Sequence, residues 1–257
     1  MALLTVDLFS ESLEVGTSLS VVLPQATRAQ IGIDSVSAPP HGWPVLYLLH
    51  GLSDDHSAWV RYTSIERYAR EAGLAVVMPA AGRSFYADEA RGHRYWTWIS
   101  EELPGVVAEM FRVSTRPQDT YVAGLSMGGY GALKLALRHP DRFAAAASLS
   151  GAVDVSILAT APERAELHER VFAGSIPAGA DLFSLVDALD PAAAPPLWVG
   201  CGTEDVLHDA NRRFVDHAVA AGLDVTSDFR PGLHEWGLWD RVVRDVIAWL
   251  PRPKVGP

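Results

Sequence analysis

TYVAGLSMGGYGALK, from Thr120 to Lys134, is the stretch that decides the fold class. Its first residues form an apolar run suited to a buried strand, and its last residues have the spacing of a helix. A Gly-x-Ser-x-Gly turn between them puts Ser126 where the strand ends and the helix begins. Such a sharp turn strains the serine backbone, and neighbouring chains approach so closely that glycine is needed at Gly124 and Gly128. The stretch therefore predicts an exposed Ser126 hydroxyl in the position of a nucleophile.

Apolar runs on both sides of this stretch predict a mainly parallel sheet. Strands covered on both faces are expected at Val45–Leu49, Ala75–Met78, Thr120–Ala123, Ala144–Leu149 and Leu197–Val199, with a last strand at Val225–Phe229. Helical patterns alternate with them at Ser64–Glu71, Trp96–Phe111, Gly129–Arg138, Asp209–Ala221 and Leu238–Leu250. Near the start, Leu3–Phe9 and Ser18–Leu23 predict an antiparallel pair. Alternation of strand and helix implies right-handed crossovers, with helices on both faces of the sheet.

These patterns predict one α/β domain over residues 1–250. A chain of 257 residues, 49% of them hydrophobic, can bury a core of this size but is short for two domains. Residues 152–194 place prolines and glycines among short amphipathic pieces, so we expect a small insertion over the carboxyl edge of the sheet. Residues 251–257 are expected to form a loose tail.

Composition disfavours several classes of function. A net charge of −10 argues against nucleic acids and acidic membranes as partners, because binding to them depends on lysine and arginine. The single cysteine, Cys201, cannot form an intramolecular disulfide, and no run of about 18 apolar residues could span a membrane. The first residues lack the basic region of a signal peptide, so the sequence predicts a cytoplasmic protein.

A nucleophilic serine needs a base, and His234 is the best candidate. In α/β-hydrolases the chain order is serine, acid, histidine, and only three of the nine histidines follow a suitable acid. His217 falls inside a predicted helix, where a packing or surface role is expected, and His208 directly precedes that helix as a local cap. His234 lies in a loop between the last strand and the last helix, which suits a catalytic imidazole.

The orienting acid is expected just after the strand that starts at Leu197. Two acids follow this strand, Glu204 and Asp205. We prefer Asp205, because it lies further into the turn and is short enough to fix the Nδ1–H group of His234 without reaching back. Glu204 remains the rival, and Asp209 is a weaker candidate because its position suits a helix N-cap.

Two backbone N–H groups are expected to form an oxyanion hole, those of Leu52 and Met127. Met127 follows the nucleophile at the start of a helix. Leu52 follows the third strand, where Gly51 lets the chain turn toward the site. His50 beside them invites a metal or acid–base role, but an imidazole that holds this loop by hydrogen bonds is the better interpretation.

No cofactor is predicted. The sequence has no ligand cluster with zinc or magnesium spacing and no glycine-rich phosphate loop after a strand. Among the eight tryptophans, Trp96 and Trp236 fall near segments expected at the site, and we predict that they contact the substrate.

The sequence resembles the esterase D family, which includes S-formylglutathione hydrolases, short-chain esterases, feruloyl esterases and mycolyltransferases. The resemblance runs from about Leu3 to Leu250 and is carried by Leu49–Trp59, Arg61–Arg67, Met78-Pro79, Gly124–Ala132 and His234–Asp240. It implies the α/β-hydrolase fold, the triad Ser126, Asp205 and His234, the oxyanion donors Leu52 and Met127, and a possible homo-oligomer. Residues 80–88 depart from the family's Asp-Gly-Gly stretch near the substrate. The resemblance therefore does not define which leaving group the protein prefers.

We therefore predict a serine carboxylesterase that hydrolyses short-chain acyl esters or thioesters through an acyl-enzyme. S-formylglutathione hydrolysis as the main role, or acyl transfer to an alcohol, are alternatives of the same chemistry. A catalytically silent binding protein with a hydrolase fold is the alternative from another class.

Overall fold

One eight-stranded sheet organises the protein, whose computed structural model describes residues 1–25, 27, 31 and 38–252. The strands are β1 (Ala2–Ser10), β2 (Val15–Leu23), β3 (Val45–Leu49), β4 (Ala75–Pro79), β5 (Thr120–Leu125), β6 (Ala145–Leu149), β7 (Leu197–Gly202) and β8 (Val225–Arg230). Their order is β1-β2-β4-β3-β5-β6-β7-β8. The strands from β3 to β8 are parallel, whereas β2 is antiparallel to both β1 and β4. The predicted sheet and its antiparallel N-terminal pair are confirmed.

Helices connect the parallel strands and cover both faces of the sheet. They are α1 (Ala58–Tyr62), α2 (Ile65–Glu71), α3 (Tyr95–Thr97), α4 (Leu103–Met110), α5 (Met127–Arg138), α6 (Ile157–Thr160), α7 (Ala165–Phe172), α8 (Leu182–Ala188), α9 (His208–Ala220) and α10 (Trp236–Trp249). Short 3-10 turns lie at Pro117–Asp119, Pro140–Arg142, Pro162–Arg164, Ala178–Ala180 and Pro191–Ala193.

The predicted helix Trp96–Phe111 is interrupted in the structure. A π-helical turn, Trp98–Glu102, separates α3 from α4. Pro104 has no N–H group, so it cannot donate to the Ser100 carbonyl as a regular helix would require. The Arg142 guanidinium donates to that carbonyl instead, at 2.6 Å. The short helix α1 is the other difference, since no helix was predicted between β3 and α2.

The core lies in two layers because side chains alternate along each buried strand. Val45, Tyr47 and Leu49 of β3 pack with α5 and α9 on one face, whereas Leu46 and Leu48 pack with α2 and α10 on the other. All five are buried. The rigid sheet between these layers holds the carboxyl ends of β3, β5 and β7 at one edge, where the predicted site residues are found.

The segment 152–194 packs onto this domain and shares its core. Its buried residues Leu167, Val171 and Leu182 belong to the same hydrophobic cluster as β3 and α5. The Tyr130 hydroxyl of α5 also donates to the Ala180 carbonyl at 2.6 Å. Of the predicted tail, residues 253–257 lie outside the described residues. Within the described part of the chain, no helix combines the length and the apolar character needed to cross a membrane.

Candidate active site

Ser126 lies on the turn between β5 and α5 in a conformation that non-glycine residues rarely adopt. Its φ is 53° and its ψ is −117°. The surroundings hold it there, because the Ser126 N–H donates to the Leu149 carbonyl and its own carbonyl accepts from the Ala152 N–H, both at 2.9 Å. The predicted strand–turn–helix geometry is present, and it puts the Ser126 hydroxyl at the first turn of α5.

Gly124 and Gly128 let the turn form, because the chains around it nearly touch. A Cβ atom on Gly124 would lie 2.3 Å from the Gly128 carbonyl oxygen, and one on Gly128 would lie 2.4 Å from the Leu49 carbonyl oxygen. Both neighbours are backbone atoms of the sheet or of α5, so they cannot move aside alone. Any side chain at either position would push α5 away from β3 and β5.

We expect Gly124→Ala to lower the free energy of unfolding by about 1–3 kcal/mol or more, because a tightly packed core must shift to accept the methyl group. Gly105→Ala is the matched control, since a Cβ atom on Gly105 in α4 meets nothing within 4 Å. Alanine favours a helix over glycine by about 1 kcal/mol, so this variant should be as stable as the parent or more so. Urea unfolding measures both; equal stability of the two variants would contradict the close-approach argument.

His234 joins Ser126 to Asp205 by two hydrogen bonds. Its Nε2 lies 3.1 Å from the Ser126 Oγ, and its Nδ1 lies 2.8 Å from the Asp205 Oδ2. A carboxylate can only accept, so Nδ1 carries the proton and Nε2 presents a lone pair to the serine hydroxyl. The Trp239 ring packs edge-on against the imidazole, with ring centroids 4.8 Å apart, and restricts its rotation. This geometry suits proton transfer from Ser126 to His234.

Asp205 is buried but remains ionised. Its side chain has no solvent exposure. Burial raises the pKa of this carboxyl, but hydrogen bonds from His234 and from the Leu207 N–H outweigh it, and the net pKa is lowered. The Leu207 N–H lies 2.8 Å from Oδ1, which leaves Oδ2 for His234. A carboxylate held in this way keeps the imidazole in one tautomer and stabilises its protonated form.

The rival acids have other partners. Glu204 accepts from the Gly232 N–H at 2.6 Å and from the Thr203 hydroxyl at 2.9 Å. These hydrogen bonds lower the pKa of Glu204. Glu204 thus holds the loop before His234 in place but does not contact the imidazole. Asp209 pairs with His208 at 3.1 Å. The structure thus brings Asp205 to His234 and leaves Glu204 and Asp209 away from it.

His50 holds the loop that carries Leu52. The Ala81 N–H donates to the His50 Nε2 at 2.9 Å, so Nδ1 carries the proton and donates to the Gly51 carbonyl at 2.7 Å. Burial lowers the pKa of His50, which keeps the ring neutral in this arrangement. The N–H and C=O groups of one peptide point in opposite directions. Fixing the Gly51 carbonyl therefore also fixes the direction of the Leu52 N–H.

The N–H groups of the two predicted oxyanion donors are unpaired in the described part of the chain. Within the described residues, neither the Leu52 N–H nor the Met127 N–H donates a hydrogen bond to a protein acceptor. Gly51 and Leu52 line the same cleft as Ser126. Buried donors need partners, and a negatively charged oxygen at Ser126 would provide one for each.

We expect His50→Ala to lower kcat by about 10- to 100-fold with a smaller change in KM, because a misdirected Leu52 N–H weakens transition-state binding. Hydrolysis of 4-nitrophenyl acetate and thermal unfolding should be measured together. His217→Ala is the control, since His217 pairs with Asp187 on the surface and lies outside the cleft. A folded His50→Ala protein with the parent's kcat would refute this positioning role.

The cleft over Ser126 has a volume of about 760 Å³ and an aromatic wall. Trp236 and Trp239 line it, and their rings pack edge to face at 5.3 Å. Trp236 also lies 5.0 Å from the Tyr62 ring, between centroids. The structure thus puts Trp236 in the cleft that contains Ser126, where substrate contact was predicted.

Trp96 does not lie in this cleft, contrary to the expectation from the sequence. Its ring lines a separate cavity of about 420 Å³ near the C-terminal end of α5. There it lies 4.4 Å from the Lys134 ammonium and stacks on His139, with ring centroids 5.6 Å apart. The sequence placed Trp96 near a segment expected at the site, but nearness along the chain does not show which way the start of α3 faces.

Two arginines in the cleft were not predicted. Arg83, after β4, and Arg164, in the segment 152–194, both line the cleft that contains Ser126. Neither belongs to a recognisable motif, and the two are far apart in the sequence. Only the packing of α7 against the loop after β4 brings them together.

Solved structures with the same fold define the class of protein. FphF, a fluorophosphonate-binding serine hydrolase of Staphylococcus aureus, has a TM-score of 0.87 and 32% identity, covering 98% of this chain and 99% of that one. The S-formylglutathione hydrolase FrmB of the same species has a TM-score of 0.83 and 32% identity, covering 97% and 98%. With such likeness over nearly the whole length, this protein is a serine hydrolase of the α/β-hydrolase type.

Sequence comparison narrows the class to esterases. Residues 10–247 match the family described as putative esterase, and the chain belongs to this family. The acetyl esterase of Caldicellulosiruptor saccharolyticus is 26% identical over 268 residues, which cover 98% of this chain and 99% of that protein. The predicted esterase D resemblance and the prediction of a serine esterase are confirmed.

Proposed function

We propose that this protein hydrolyses short-chain acyl esters or thioesters, with Ser126 as nucleophile, His234 as base and Asp205 as orienting acid. The observation that carries the proposal is the unbroken path of hydrogen bonds from Ser126 Oγ through both nitrogens of His234 to Asp205. The strained turn that presents the hydroxyl supports it independently.

The first step forms an acyl-enzyme. The Ser126 Oγ attacks the carbonyl carbon while its proton passes to the His234 Nε2. The carbonyl oxygen becomes negatively charged between the N–H groups of Leu52 and Met127, which are fixed before the reaction begins. The protonated imidazole then gives its proton to the departing alcohol or thiol, so that the bond to the leaving group breaks without releasing a strong base.

The second step returns the enzyme to its starting state. His234 takes a proton from water, and the resulting hydroxide attacks the carbonyl carbon of the acyl group on Ser126. The same oxyanion hole binds the carbonyl oxygen as it becomes negatively charged. The carboxylic acid leaves when the proton returns to the Ser126 oxygen. An alcohol in place of water would give acyl transfer by the same residues.

Our inference of a short acyl group rests on the bulk of Trp236 and Trp239, which line the cleft that contains Ser126. S-formylglutathione is a second candidate substrate, because FrmB, with 32% identity over nearly the whole chain, is an S-formylglutathione hydrolase. A formyl group makes the smallest demand on space beside Ser126. A cytoplasmic location and a homo-oligomer stay predictions from the sequence.

A fluorophosphonate probe and a panel of substrates test the proposal. The probe should label Ser126, and mass spectrometry should identify the modified peptide. Treating the protein first with a short-chain ester inhibitor should prevent this labelling. Hydrolysis rates should then be compared for 4-nitrophenyl acetate, tributyrin, S-formylglutathione and a feruloyl ester. A probe that fails to label Ser126, or a preference for the feruloyl ester, would contradict the proposal.

A further inference from the structure

The cleft around Ser126 contains two positive charges that have no partner among the described residues. Among the described residues, neither Arg83 nor Arg164 has a carboxylate within 4.0 Å, donates a side-chain hydrogen bond or covers an aromatic ring. Both line the cleft with Ser126 and His234. Their donors are therefore open to a ligand that approaches the nucleophile.

We propose that Arg83 and Arg164 bind a carboxylate on the leaving group of the substrate. The inference rests on the proposed function, because short acyl groups carry no charge and the anion must then belong to the alcohol or thiol part. A guanidinium presents its N–H groups in a planar fork that matches the two oxygens of a carboxylate. The substrate class is thus an ester or thioester whose alcohol or thiol bears a carboxylate.

The backbone of Arg83 is held in place by its neighbours. Gly82 has a φ of +52°, and a Cβ atom there would lie 2.9 Å from the Tyr95 hydroxyl. The Ser84 hydroxyl donates to the Ala81 carbonyl at 2.7 Å, which closes the turn on the other side. The turn also contacts α5, because the Phe85 N–H donates to the sulfur of Met127.

Arg164 is carried to the same cleft by the docking of α7. It directly precedes this helix, whose Arg170 donates to the Arg83 carbonyl at 3.0 Å. Arg170 also pairs with the buried carboxylate of Glu89 at 2.9 Å. Backbone hydrogen bonds add to this, from the Ala90 N–H to the Val171 carbonyl at 3.0 Å. One arginine thus links the two segments that supply Arg83 and Arg164, and their main chains are fixed relative to each other.

The acids in the cleft come from other segments than the arginines, so positive and negative charges lie in different parts of the site. Asp54 belongs to the loop after β3, and Glu235 directly precedes α10. Burial raises the pKa of Asp54, which lies beside Gly51. An anionic leaving group is attracted by Arg83 and Arg164 and repelled by Glu235 and by the ionised form of Asp54, so the charges favour one orientation of the substrate at Ser126.

The test compares two esters of nearly the same shape, 4-acetoxybenzoate and 4-acetoxybenzamide. The parent protein should show a kcat/KM about 10- to 100-fold higher for the charged ester, after correction for spontaneous hydrolysis. Arg83→Gln and Arg164→Gln should each lower this ratio about 3- to 10-fold. We compare the ratio of the two kcat/KM values because damage to the Ser126 machinery lowers both rates together and leaves their ratio unchanged. Arg244→Gln removes the same charge from an exposed site on α10 and should leave the ratio unchanged.

Binding separates the failure of this inference from failure of the proposed function. Calorimetry on Ser126→Ala should show tighter binding of 4-acetoxybenzoate than of 4-acetoxybenzamide, and adding both arginine substitutions should abolish the difference. Equal kcat/KM values for the two esters in the parent, with equal affinities in Ser126→Ala, would overturn the inference. If the parent hydrolysed neither ester while Ser126→Ala still bound the anion more tightly, the proposed function would fail and the anion site would stand.

Discussion

Ser126→Ala is expected to lower kcat by about a million-fold. Without the hydroxyl no acyl-enzyme forms, and only the oxyanion hole and substrate binding are left to help water attack. Turnover of 4-nitrophenyl acetate measures the loss, and rapid mixing of the parent should show an initial burst of 4-nitrophenol if deacylation is slower than acylation.

Ser227→Ala is the control for this substitution. Ser227 lies exposed on β8, away from the cleft, and its loss should leave kcat unchanged. Thermal unfolding should show that both variants are folded. Ser126→Ala also replaces a residue with a φ of 53°, and alanine is no better suited to this region than serine, so stability should change little. If Ser126→Ala kept most of the parent's activity, the assigned nucleophile would be wrong.

Asp205→Asn is expected to lower kcat by about 10,000-fold. The amide has nearly the shape of the carboxylate, but its NH₂ group can donate to the His234 Nδ1 and favour the tautomer with the proton on Nε2. That tautomer cannot accept the Ser126 proton, and the amide cannot stabilise the imidazolium that would form. Steady-state hydrolysis of 4-nitrophenyl acetate, measured from pH 6 to 9, gives kcat for the parent and the variant.

Glu204→Gln provides the contrast on the neighbouring residue. Glu204 is hydrogen-bonded to the Gly232 N–H and lies outside the path from Ser126 to Asp205, so its loss should cost less than about tenfold in kcat through the position of the loop. The two substitutions thus separate the orienting acid from the acid that only holds the loop. A larger loss in Glu204→Gln than in Asp205→Asn would reverse the assignment.

The strands were predictable because their signal is local. In β3, β5 and β6 every residue or nearly every residue is buried, and uninterrupted apolar runs with glycine-rich ends are the mark of such strands. Ser126 could be recognised for the same reason, since the glycines that permit its turn lie two residues to either side. His234 followed from chain order and from its loop between β8 and α10.

The helix between β4 and β5 shows where local pattern was insufficient. Apolar spacing predicted one helix over Trp96–Phe111, but the π-helical turn depends on Pro104 and on a hydrogen bond from Arg142, which is distant in sequence. The apolar spacing of the sequence continues through such a turn, so the pattern shows no clear break there.

By itself the sequence determined the class of fold and the strained serine turn, since each is signalled by residues close together in the chain. Chain order added the prediction that His234 is the base, although it lies 108 residues from Ser126. The tertiary structure decided what depends on distant segments meeting. It brings Asp205 and not Glu204 to His234, turns the Leu52 N–H through the hydrogen bonds of His50, and gathers Arg83 and Arg164 at one cleft by docking α7 on the loop after β4. Contacts of this kind depend on the packing of whole elements, so no short stretch of sequence specifies them.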